Sequence, residues 1–501
     1  MTLLWSIIAQ ALKHPHRVAV RDDRRAYTFK ELLGGAMFLA ERIDAATSAR
    51  NVGLMLPPSG LFPVALLGAW LARRVVVPIN YLLHPEELAY IIRDSDVDTI
   101  VAVQPMLDFL GGPGVIPAGV KLVLMESIDF SGLPPLRWPP RLGDDEVAAL
   151  VYTSGTSAKP KGVMLTHGNL HSNALAGIRH SRVTSASSAL AVLPQFHSYG
   201  LTILTVLPLL VPLPVIYTAR FVPKKVVSLI REHQIDLVIA VPSMYAALLS
   251  VKDAGPEDFK SVHLAVSGGE PLPNAVYEEF QRRFGIQLRE GYGLTETSPV
   301  LTWATPFEAF KLHSVGQALP GVELAIVDEQ GAVLGPDRDG EVLAAGPCIM
   351  KGYYKLPEAT AAVFTELDVP DGRGGMVRRK FFRTGDIGRL DADGFLFITG
   401  RKKELLKVAG EIVFPREVEE LLAKHPMVHA VAVIGKHDDV RGEVPVAYVE
   451  VQEGQTFDEA ALRAYCREHI ATYKVPREIH CVDQLPRSAA GKVLKRFLKT
   501  D

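Results

Sequence analysis

The sequence predicts an α/β fold with a large N-terminal α/β domain, which contains a β-rich subdomain, and a small α+β C-terminal domain. The chain has 501 residues, more than one hydrophobic core usually serves, so at least two domains are expected. Apolar strand-like segments alternate with helical patterns between residues 147 and 288, which is typical of a predominantly parallel sheet. After ITGRKKE, residues 398–404, the pattern changes to that of a compact α+β domain of about 100 residues, an ordinary domain size.

The first elements of the chain are a helix and a series of alternating strands and helices. The apolar N-terminus lacks the early positive charge of a secretory signal and predicts a helix that ends before Pro15. The alternating segments of the central region are 147–151, 189–193, 223–231, 237–240, 243–249, 262–266 and 274–284. Polar residues follow several of these predicted strands, and ligands of open α/β sheets bind beyond the carboxyl ends of the strands.

The later elements form the β-rich subdomain and the C-terminal domain. Beyond Gly316, short apolar segments between Gly and Asp turns predict the subdomain, for example at residues 322–327 and 341–345. The C-terminal domain is predicted from a helix, two strands and a second helix, near residues 415–424, 428–434, 444–451 and 457–469. We place the hinge at residues 401–403, so that the two domains extend over residues 1–400 and 401–501.

Composition excludes several classes of protein. With 54 basic and 56 acidic residues the formal charge is −2, which gives no general electrostatic reason to bind nucleic acid or an anionic membrane, so any basic site must be local. The three cysteines Cys348, Cys466 and Cys481 fit neither a disulfide framework nor a zinc cluster, and a reducing cytoplasm is the simplest compartment. Prolines interrupt the longest apolar run, residues 201–216, which is too short for a membrane span. Peripheral membrane contact and a homodimer both stay open.

The most informative stretch is YTSGTSAKPKG, residues 152–162. Its hydroxyls, glycines and two lysines are the donors and cations that surround phosphates. It is not a Walker A loop, because six residues separate Gly155 from Gly162 and Val163 follows. Taken alone, such a cluster is usually a polar surface turn.

Three further clusters carry residues that suit nucleotide chemistry. In GYGLTETSP, residues 291–299, Tyr292 suits a base, and Glu296 suits a divalent cation that bridges phosphates. In RTGDIG, residues 383–388, the carboxylate of Asp386 suits both hydroxyls of a ribose. In RSAAGKVLKR, residues 487–496, Lys492 follows a small-residue turn. Separately these residues are more often a helix-start glutamate, a turn aspartate and part of a solvated basic face.

Together and in this order, the motifs resemble the adenylate-forming superfamily of acyl-CoA synthetases over essentially the whole chain. The resemblance rests on YTSGTSAKPKGV, LPQFHSYGL, GYGLTETSP, GYY at residues 352–354, RTGDIG, ITGRKKELLKVAGE and the terminal AGKVLKR. Within this superfamily, the motifs resemble above all those of bacterial medium- or long-chain fatty acid CoA ligases. The resemblance implies an acyl-CoA synthetase-like fold with a mobile C-terminal domain, and the co-substrates ATP, Mg²⁺ and coenzyme A.

For the first step, formation of an acyl adenylate from a carboxylate and ATP, the resemblance implies a role for each motif. Lys492 would supply positive charge at the reacting oxygens, where preorganised charge lowers the barrier most. Thr153 and Glu296 would bind Mg²⁺. The residues that would bind the nucleotide are Thr153, Ser154, Gly155, Thr156, Ser157, Lys159, Lys161, Gly269, Glu270, Glu290, Gly291, Tyr292, Gly293, Thr295, Asp386 and Arg401.

For the second step, the family rotates its C-terminal domain so that a thiol reaches the adenylate. Lys403 matches the hinge position, while Val408 and Gly410 would line the passage of coenzyme A. His197 matches the family's position near the substrate carboxylate, where it would orient the acid. The residues that would line the acyl pocket are His197, Tyr199, Met244, Ser267, Gly268, Gly293 and Val300.

The substrate class follows from the same motif. Amino-acid-activating relatives place an aspartate where His197 and Ser198 stand, so an acid with an uncharged tail is expected. A medium- or long-chain fatty acid is favoured, and an aromatic acid stays open, as does an acyl carrier protein as the acceptor. A luciferase-like oxidation and a non-catalytic descendant are the remaining alternatives.

Two stretches depart from the family pattern. Ser157 and Ala158 replace the commoner Thr-Gly of the phosphate loop, and nucleotide binding is expected to survive this change. The segment 368–381 is an insertion-like stretch for which we expect a surface loop.

Overall fold

The computed structural model describes residues 1–153, 159–305, 307, 309–370, 375–409, 411–438, 441–487 and 493–498, apart from the side chain of Pro370. The chain divides into two compact units. The first comprises Met1–Gly269, Phe280–Glu323 and Ala344–Phe382, and the second Glu270–Glu279, Leu324–Leu343 and Arg383–Asp501. The α/β class is confirmed, and the boundary at residues 400 and 401 stays a prediction.

The first unit contains a nine-stranded sheet. Its strands lie in the order Gln317–Ala318, Val300–Trp303, Arg289–Gly293, Leu264–Gly268, Leu237–Ala240, Ala189–Ala191, Val215–Tyr217, Val18–Arg21 and Ala26–Thr28. The six strands from Arg289–Gly293 to Val18–Arg21 are parallel, and the strands at both edges are antiparallel. The predominantly parallel sheet is therefore confirmed for the region from residue 189 onward.

A second sheet of the first unit has seven strands. Their order is Gly352–Tyr353, Lys161–Thr166, Val147–Thr153, Val75–Pro78, Asn51–Met55, Thr99–Ala102 and Lys121–Leu124. The sequence pattern grouped the strand Val147–Thr153 with the strands from residue 189 onward, and that grouping is wrong. This strand instead pairs with Val75–Pro78 in parallel and with Lys161–Thr166 in antiparallel fashion.

The helices of the chain cover the sheets and supply much of the core. Their bounds are Leu3–Lys13, Phe29–Ala46, Leu61–Leu71, Pro85–Asp94, Gln104–Phe109, His167–Ser181, Ser198–Leu201, Leu207–Leu210, Pro223–His233, Pro242–Leu249, Asn274–Phe284, Pro357–Ala362, Pro415–Leu422 and Glu459–His469. The N-terminal helix does end before Pro15. Capping boxes start two of the others, at Thr28 with Glu31 and at Thr166 with Asn169, and satisfy backbone donors at the helix start.

The apolar run 201–216 lies in the core of the first unit. It forms a π-helix over Thr202–Val206, the short helix Leu207–Leu210 and the strand Val215–Tyr217, and nearly all of its side chains are buried. The helix Leu61–Leu71 is buried on all its faces, as expected of a helix that is apolar all round. Among the residues that the structure describes, none of the helices combines the length and the apolar character that crossing a membrane requires.

The segment 368–381 is largely a β-hairpin, so the surface loop expected from the sequence is wrong. The strands Phe364–Pro370 and Met376–Leu390 pair in antiparallel register, with Phe364 opposite Phe382. Arg378 forms an ion pair with Glu366 across the hairpin at 2.7 Å, and such cross-strand pairs of opposite charge stabilise a register. The residues between the strands, 371–374, lie outside the described part of the chain.

The second unit contains a sheet in the order Glu411–Val413, Leu406–Val408, Gly442–Val451 and Val428–Asp438, with Glu478–Cys481 parallel to Gly442–Val451. The helices Pro415–Leu422 and Glu459–His469 supply apolar residues to its core. The predicted α+β pattern is confirmed here. The remaining strands of the chain are Glu323–Val327, Gly340–Ala345 and Leu396–Arg401.

Candidate active site

Two of the residues predicted to bind phosphate face each other at the end of a strand pair in the first unit. Thr153 ends the strand Val147–Thr153 and lies opposite Lys161 in the antiparallel register. The ammonium group of Lys161 lies 5.0 Å from the centre of the Tyr353 ring, and that of Lys159 lies 5.4 Å from the centre of the Tyr90 ring. The predicted ligands between these strands, Ser154, Gly155, Thr156 and Ser157, lie outside the described residues.

Glu296 is connected to this strand pair through Tyr353. It lies in the 3₁₀ turn Thr295–Thr297, and Tyr353 donates a hydrogen bond of 2.9 Å from its hydroxyl to Oε1 of Glu296. Burial, and next the charge of Glu296, raise the pKa of the Tyr353 phenol, so that Tyr353 remains a neutral donor. The structure thus brings Thr153, Lys161 and Glu296 to one place.

Sequence reasoning missed the part that Tyr353 plays. The GYY motif was recognised as a feature of the family, but it received no role. Its strand Gly352–Tyr353 pairs with Lys161–Thr166, and this pairing carries the phenol to the end of the predicted phosphate loop. A glutamate and a tyrosine that are 57 residues apart in sequence meet only through this strand pairing, which the sequence pattern did not reveal.

The donors at this place fit Mg²⁺. Glu296 supplies carboxylate oxygens and Thr153 a hydroxyl, both hard oxygen ligands. Within the described ranges, His, Cys, Asp and Glu do not gather in threes around any point where a metal ion would fit. A magnesium ion bound by one carboxylate, with the substrate's phosphates as further ligands, suits this set better than an ion held in a cage of protein groups.

The 3₁₀ turn also meets the segment that carries His197. The hydroxyl oxygens of Thr295 and Ser198 lie 3.2 Å apart. His197 immediately precedes the short helix Ser198–Leu201, and its ring lies 4.7 Å from that of Phe196. Burial among apolar groups lowers the pKa of His197 to about 4, so the imidazole is neutral at neutral pH.

Beyond His197, two predicted acyl-pocket residues, Tyr199 and Gly268, pack closely together. Gly268 ends the strand Leu264–Gly268 and lies opposite Gly291 in the parallel register. A Cβ atom on Gly268 would lie 3.1 Å from the Tyr199 hydroxyl and 3.2 Å from the Gly291 carbonyl oxygen. A glycine at position 268 therefore leaves room for the phenol of Tyr199. Burial raises the pKa of that phenol, which keeps it neutral.

The remaining predicted acyl residues lie on the same strands or pack on the same core. Ser267 is 1% exposed, and its hydroxyl has no hydrogen-bond partner in the part of the chain that the structure describes. Val300 is buried and lies opposite Gly293 in the antiparallel register. Met244 is partly buried against the core of the first unit.

We expected the adenine-binding residues to follow the ends of strands, but four of the predicted nucleotide-binding residues lie within a strand instead. Glu290, Gly291, Tyr292 and Gly293 all lie within the strand Arg289–Gly293, and all four are half-buried. This strand, for which the sequence pattern gave no bounds, pairs with Val300–Trp303 as well as with Leu264–Gly268. Gly269 does follow a strand, and its φ of +84° is in the region that favours glycine.

In the second unit, Asp386 and Arg401 form an ion pair. They lie opposite each other in the antiparallel pairing of Met376–Leu390 with Leu396–Arg401, and Nε of Arg401 is 3.0 Å from Oδ1 of Asp386. Asp386 lies within the strand Met376–Leu390 and is 3% exposed, so the ordinary interpretation as a turn aspartate is wrong. The pair leaves part of the guanidinium accessible, because the Arg401 side chain is 41% exposed.

The other predicted residues of the second unit stand near its short turns. Glu270 belongs to this unit through the segment Glu270–Glu279. Lys403 lies in the 3₁₀ turn Lys402–Glu404, and Val408 is buried in the strand Leu406–Val408. Gly410 and Lys492 lie outside the described residues.

The described chain on either side of Lys492 is firmly held. Arg487 and Val493 form an antiparallel bridge. Lys495 lies 3.1 Å from Glu404 and 2.7 Å from Glu419, with 23% of its side chain exposed. Burial lowers the pKa of Lys495, but the two carboxylates outweigh it, and the net shift is upward. Lys495 therefore stays charged and holds the described segment 493–498 against Glu404 and Glu419.

Comparison with known proteins places these residues in a family context. The AMP-binding enzyme family model matches residues 7–354, and the AMP-binding enzyme C-terminal domain model matches residues 417–492. A 2-succinylbenzoate–CoA ligase of Geobacillus kaustophilus is 35% identical, over 98% of this chain and 96% of the relative. A long-chain-fatty-acid–CoA ligase of Bacillus subtilis is 30% identical, over 99% of this chain and 94% of the relative.

A solved structure agrees with these matches. O-succinylbenzoate coenzyme A synthetase from Bacillus subtilis, in complex with ATP and magnesium ion, superposes with a TM-score of 0.85 at 28% identity. The similarity covers 99% of both chains.

Proposed function

Because this chain belongs to the AMP-binding enzyme family, we propose that it activates a medium- or long-chain fatty acid and transfers the acyl group to coenzyme A. The coarser activity follows from the family: the chain is an ATP-dependent, AMP-forming acid–thiol ligase that works through an acyl adenylate. The identity of the acid and the roles of individual residues are the proposal.

The observation that carries the choice of acid is the uncharged character of the predicted acyl pocket. Burial keeps His197 neutral, and the other predicted lining residues have no formal charge. A second carboxylate on the substrate would lose its hydration there without gaining a cation, which is costly. This argues against dicarboxylic or sulfonated acids and favours a hydrocarbon tail.

The reaction has two chemical steps, and we propose a role in them for individual residues of this chain. In the first, a carboxylate oxygen attacks the α-phosphorus of ATP, and the bond from that phosphorus to pyrophosphate breaks. Lys161 and Lys159 would stabilise the departing pyrophosphate, and Thr295 and Lys492 would stabilise charge at the α-phosphate. Mg²⁺, bound by Glu296 and Thr153, would supply neutralising charge on the phosphates.

In the second step, the thiol of coenzyme A attacks the acyl carbon, and AMP leaves with the electron pair of the broken acyl–phosphate bond. The thiol proton passes to solvent or to a base. Movement at Lys403 would present the face that carries Val408 to the incoming thiol. Asp386, held by Arg401, would keep the ribose in place through both steps.

Two alternatives to this proposal have specific support, one for the acid and one for the acceptor. An aromatic acid is favoured by the 2-succinylbenzoate–CoA ligase relative, although the succinyl carboxylate of that acid would meet the uncharged pocket. An acyl carrier protein is an alternative acceptor, because its phosphopantetheine presents the same thiol as coenzyme A.

A pyrophosphate-release assay over acetate, decanoate, palmitate, benzoate and 2-succinylbenzoate tests these choices, with coenzyme A, with a carrier protein and with neither. We expect decanoate or palmitate to give the largest kcat/KM, with a thioester formed on coenzyme A. A preference for 2-succinylbenzoate would overturn the uncharged-pocket argument. Acid-dependent pyrophosphate release, with thioester found only on the carrier protein, would overturn the choice of acceptor.

A further inference from the structure

One exposed segment of the first unit has no part in the site described above. The residues 130–141, FSGLPPLRWPPR, form no helix or strand, and they contain three strongly exposed apolar side chains. Leu133 is 93% exposed, Leu136 100% and Trp138 83%. Single exposed apolar residues are ordinary, but three of them within six positions of one segment are not.

The 130–141 segment is nevertheless tied to the protein. Phe130 packs edge-on against Phe38 at 6.0 Å, and Pro134 would lie 3.8 Å from a Cβ atom on Gly34. Arg137 donates a hydrogen bond of 3.1 Å to the carbonyl of Leu71. The contacts alternate with the exposed residues, so the segment presents its apolar side chains outward from an anchored backbone.

Proline further restricts the segment. Pro134, Pro135, Pro139 and Pro140 each fix φ, and all four are at least partly buried. A backbone that is already restricted loses little conformational entropy when its exposed side chains enter another phase. The exposed leucines and the tryptophan are therefore preorganised for contact with an external surface.

Beside the segment lies a groove of about 620 Å³ whose charged lining consists of four arginines and Asp44. Asp44 is an internal counter-charge, because it pairs with Arg74 at 2.9 Å and with Arg137 at 2.5 Å. Arg73 and Arg141, by contrast, are exposed and have no acidic partner among the described residues. The groove thus keeps an excess of positive charge in a chain whose formal charge is −2.

We propose that the 130–141 segment and this groove dock the protein on an anionic membrane surface. Leu133, Leu136 and Trp138 enter the interfacial layer, where tryptophan is favoured, while Arg73 and Arg141 contact lipid phosphates. We choose an anionic membrane over a purely apolar partner because lipid phosphates would pair with the guanidinium groups of Arg73 and Arg141, whereas an apolar partner would leave them unpaired. The docking is peripheral, and it does not depend on which acid the enzyme activates.

Co-sedimentation of the full chain with vesicles tests the proposal. We expect binding to vesicles of phosphatidylcholine with phosphatidylglycerol, weaker binding to phosphatidylcholine alone, and a loss of binding at high salt. Leu136→Ser with Trp138→Ser should reduce the partition coefficient at least about tenfold. The control Val222→Ser changes a side chain that is 47% exposed elsewhere in the first unit and should leave binding unchanged.

Two charge-reversal variants isolate the electrostatic contribution to vesicle binding. Arg141→Glu should weaken binding to anionic vesicles. Arg24→Glu, the same change at an exposed arginine between the strands Val18–Arg21 and Ala26–Thr28, should weaken it much less. Trp70 and Trp303 are buried, whereas Trp5 is partly exposed and its ring lies 6.3 Å from that of Trp138, so Trp5→Phe serves as the background for this measurement. In that background, a blue shift of tryptophan emission on vesicle addition that disappears in Trp138→Phe would place Trp138 in the interface. Each of these variants retains the fold if its thermal midpoint of unfolding matches that of the wild-type protein.

Three results would overturn the proposal. One is a wild-type chain that does not bind anionic vesicles, and another is binding that is indifferent to Leu136 and Trp138. The third is a wild-type dimer, measured by light scattering, that Leu136→Ser with Trp138→Ser converts to a monomer. That result would assign the surface to a second copy of this chain.

Discussion

Substitution of Gly268 by alanine tests directly whether Tyr199 and Gly268 bound the acyl pocket. The added methyl carbon would lie 3.1 Å from the Tyr199 hydroxyl and 3.2 Å from the Gly291 carbonyl oxygen, both tighter than an ordinary contact of 3.4 Å or more. The carbonyl belongs to a hydrogen-bonded strand and yields little, so Tyr199 must move. Such overpacking destabilises a structure by about 1–3 kcal/mol. Because Tyr199 is predicted to line the acyl pocket, we expect its displacement to weaken the binding of the acid.

The assay compares kcat/KM for acids of increasing length. We expect Gly268→Ala to lower kcat/KM about tenfold or more for decanoate and palmitate, since 1.4 kcal/mol corresponds to a factor of ten. Acetate should lose about twofold at most, because a short acid does not reach the displaced phenol. The KM for ATP should change little for every acid.

A second variant separates a pocket effect from general damage to the fold. Tyr199→Phe removes the hydroxyl contact at 3.1 Å and leaves the ring carbon Cε1 at 3.2 Å, so the double variant Gly268→Ala with Tyr199→Phe should recover part, but not all, of the activity on long acids. The reasoning is refuted if Gly268→Ala lowers activity equally for all chain lengths, or if it leaves the chain-length profile unchanged while the protein remains folded.

Three further predictions concern other parts of the molecule. Lys492→Ala should abolish adenylate formation while thioester formation from a supplied acyl adenylate continues, and equal loss of both half-reactions would contradict this division. Asp386→Asn removes the charge that Arg401 contacts at 3.0 Å, and the KM for ATP should rise about tenfold in steady-state kinetics. Burial lowers the pKa of His197 from 6.5 to about 4, so the unfolded state binds more protons between these pH values. Stability should therefore fall by up to about 3 kcal/mol as the pH drops through this window, and His197→Gln should flatten the pH dependence of the thermal midpoint.

Local patterns in the sequence were enough to predict most elements. The strand Leu237–Ala240 and the helix Asn274–Phe284 have the bounds expected from their patterns. The run 201–216, predicted from its prolines and its length to be too short for a membrane span, forms two short helical segments and a strand. Such elements depend on residues close in sequence, and a single chain displays them directly.

Pairing between distant strands was not predictable in the same way. The strand Val147–Thr153 has an apolar run that suits either sheet, and only its neighbours Val75–Pro78 and Lys161–Thr166 decide the assignment. The hairpin that contains Arg378 was predicted as a surface loop because the stretch looked like an insertion, whereas its order depends on cross-strand pairs such as the one with Glu366. The candidate site shows the same division: its residue types were predicted, but their contacts were not.

The contacts of the 3₁₀ turn Thr295–Thr297 connect the segment that carries His197 with the predicted phosphate site. Thr295 meets Ser198 on the side of the acid, while the adjacent Glu296 meets Tyr353 on the side of the phosphates. Neighbouring residues on a tight turn cannot move independently, so a shift of the acyl-side segment is transmitted to the carboxylate that would hold Mg²⁺. We therefore expect the turn to make phosphate alignment depend on a correctly seated acid, and thereby to favour adenylate formation over wasteful hydrolysis of ATP.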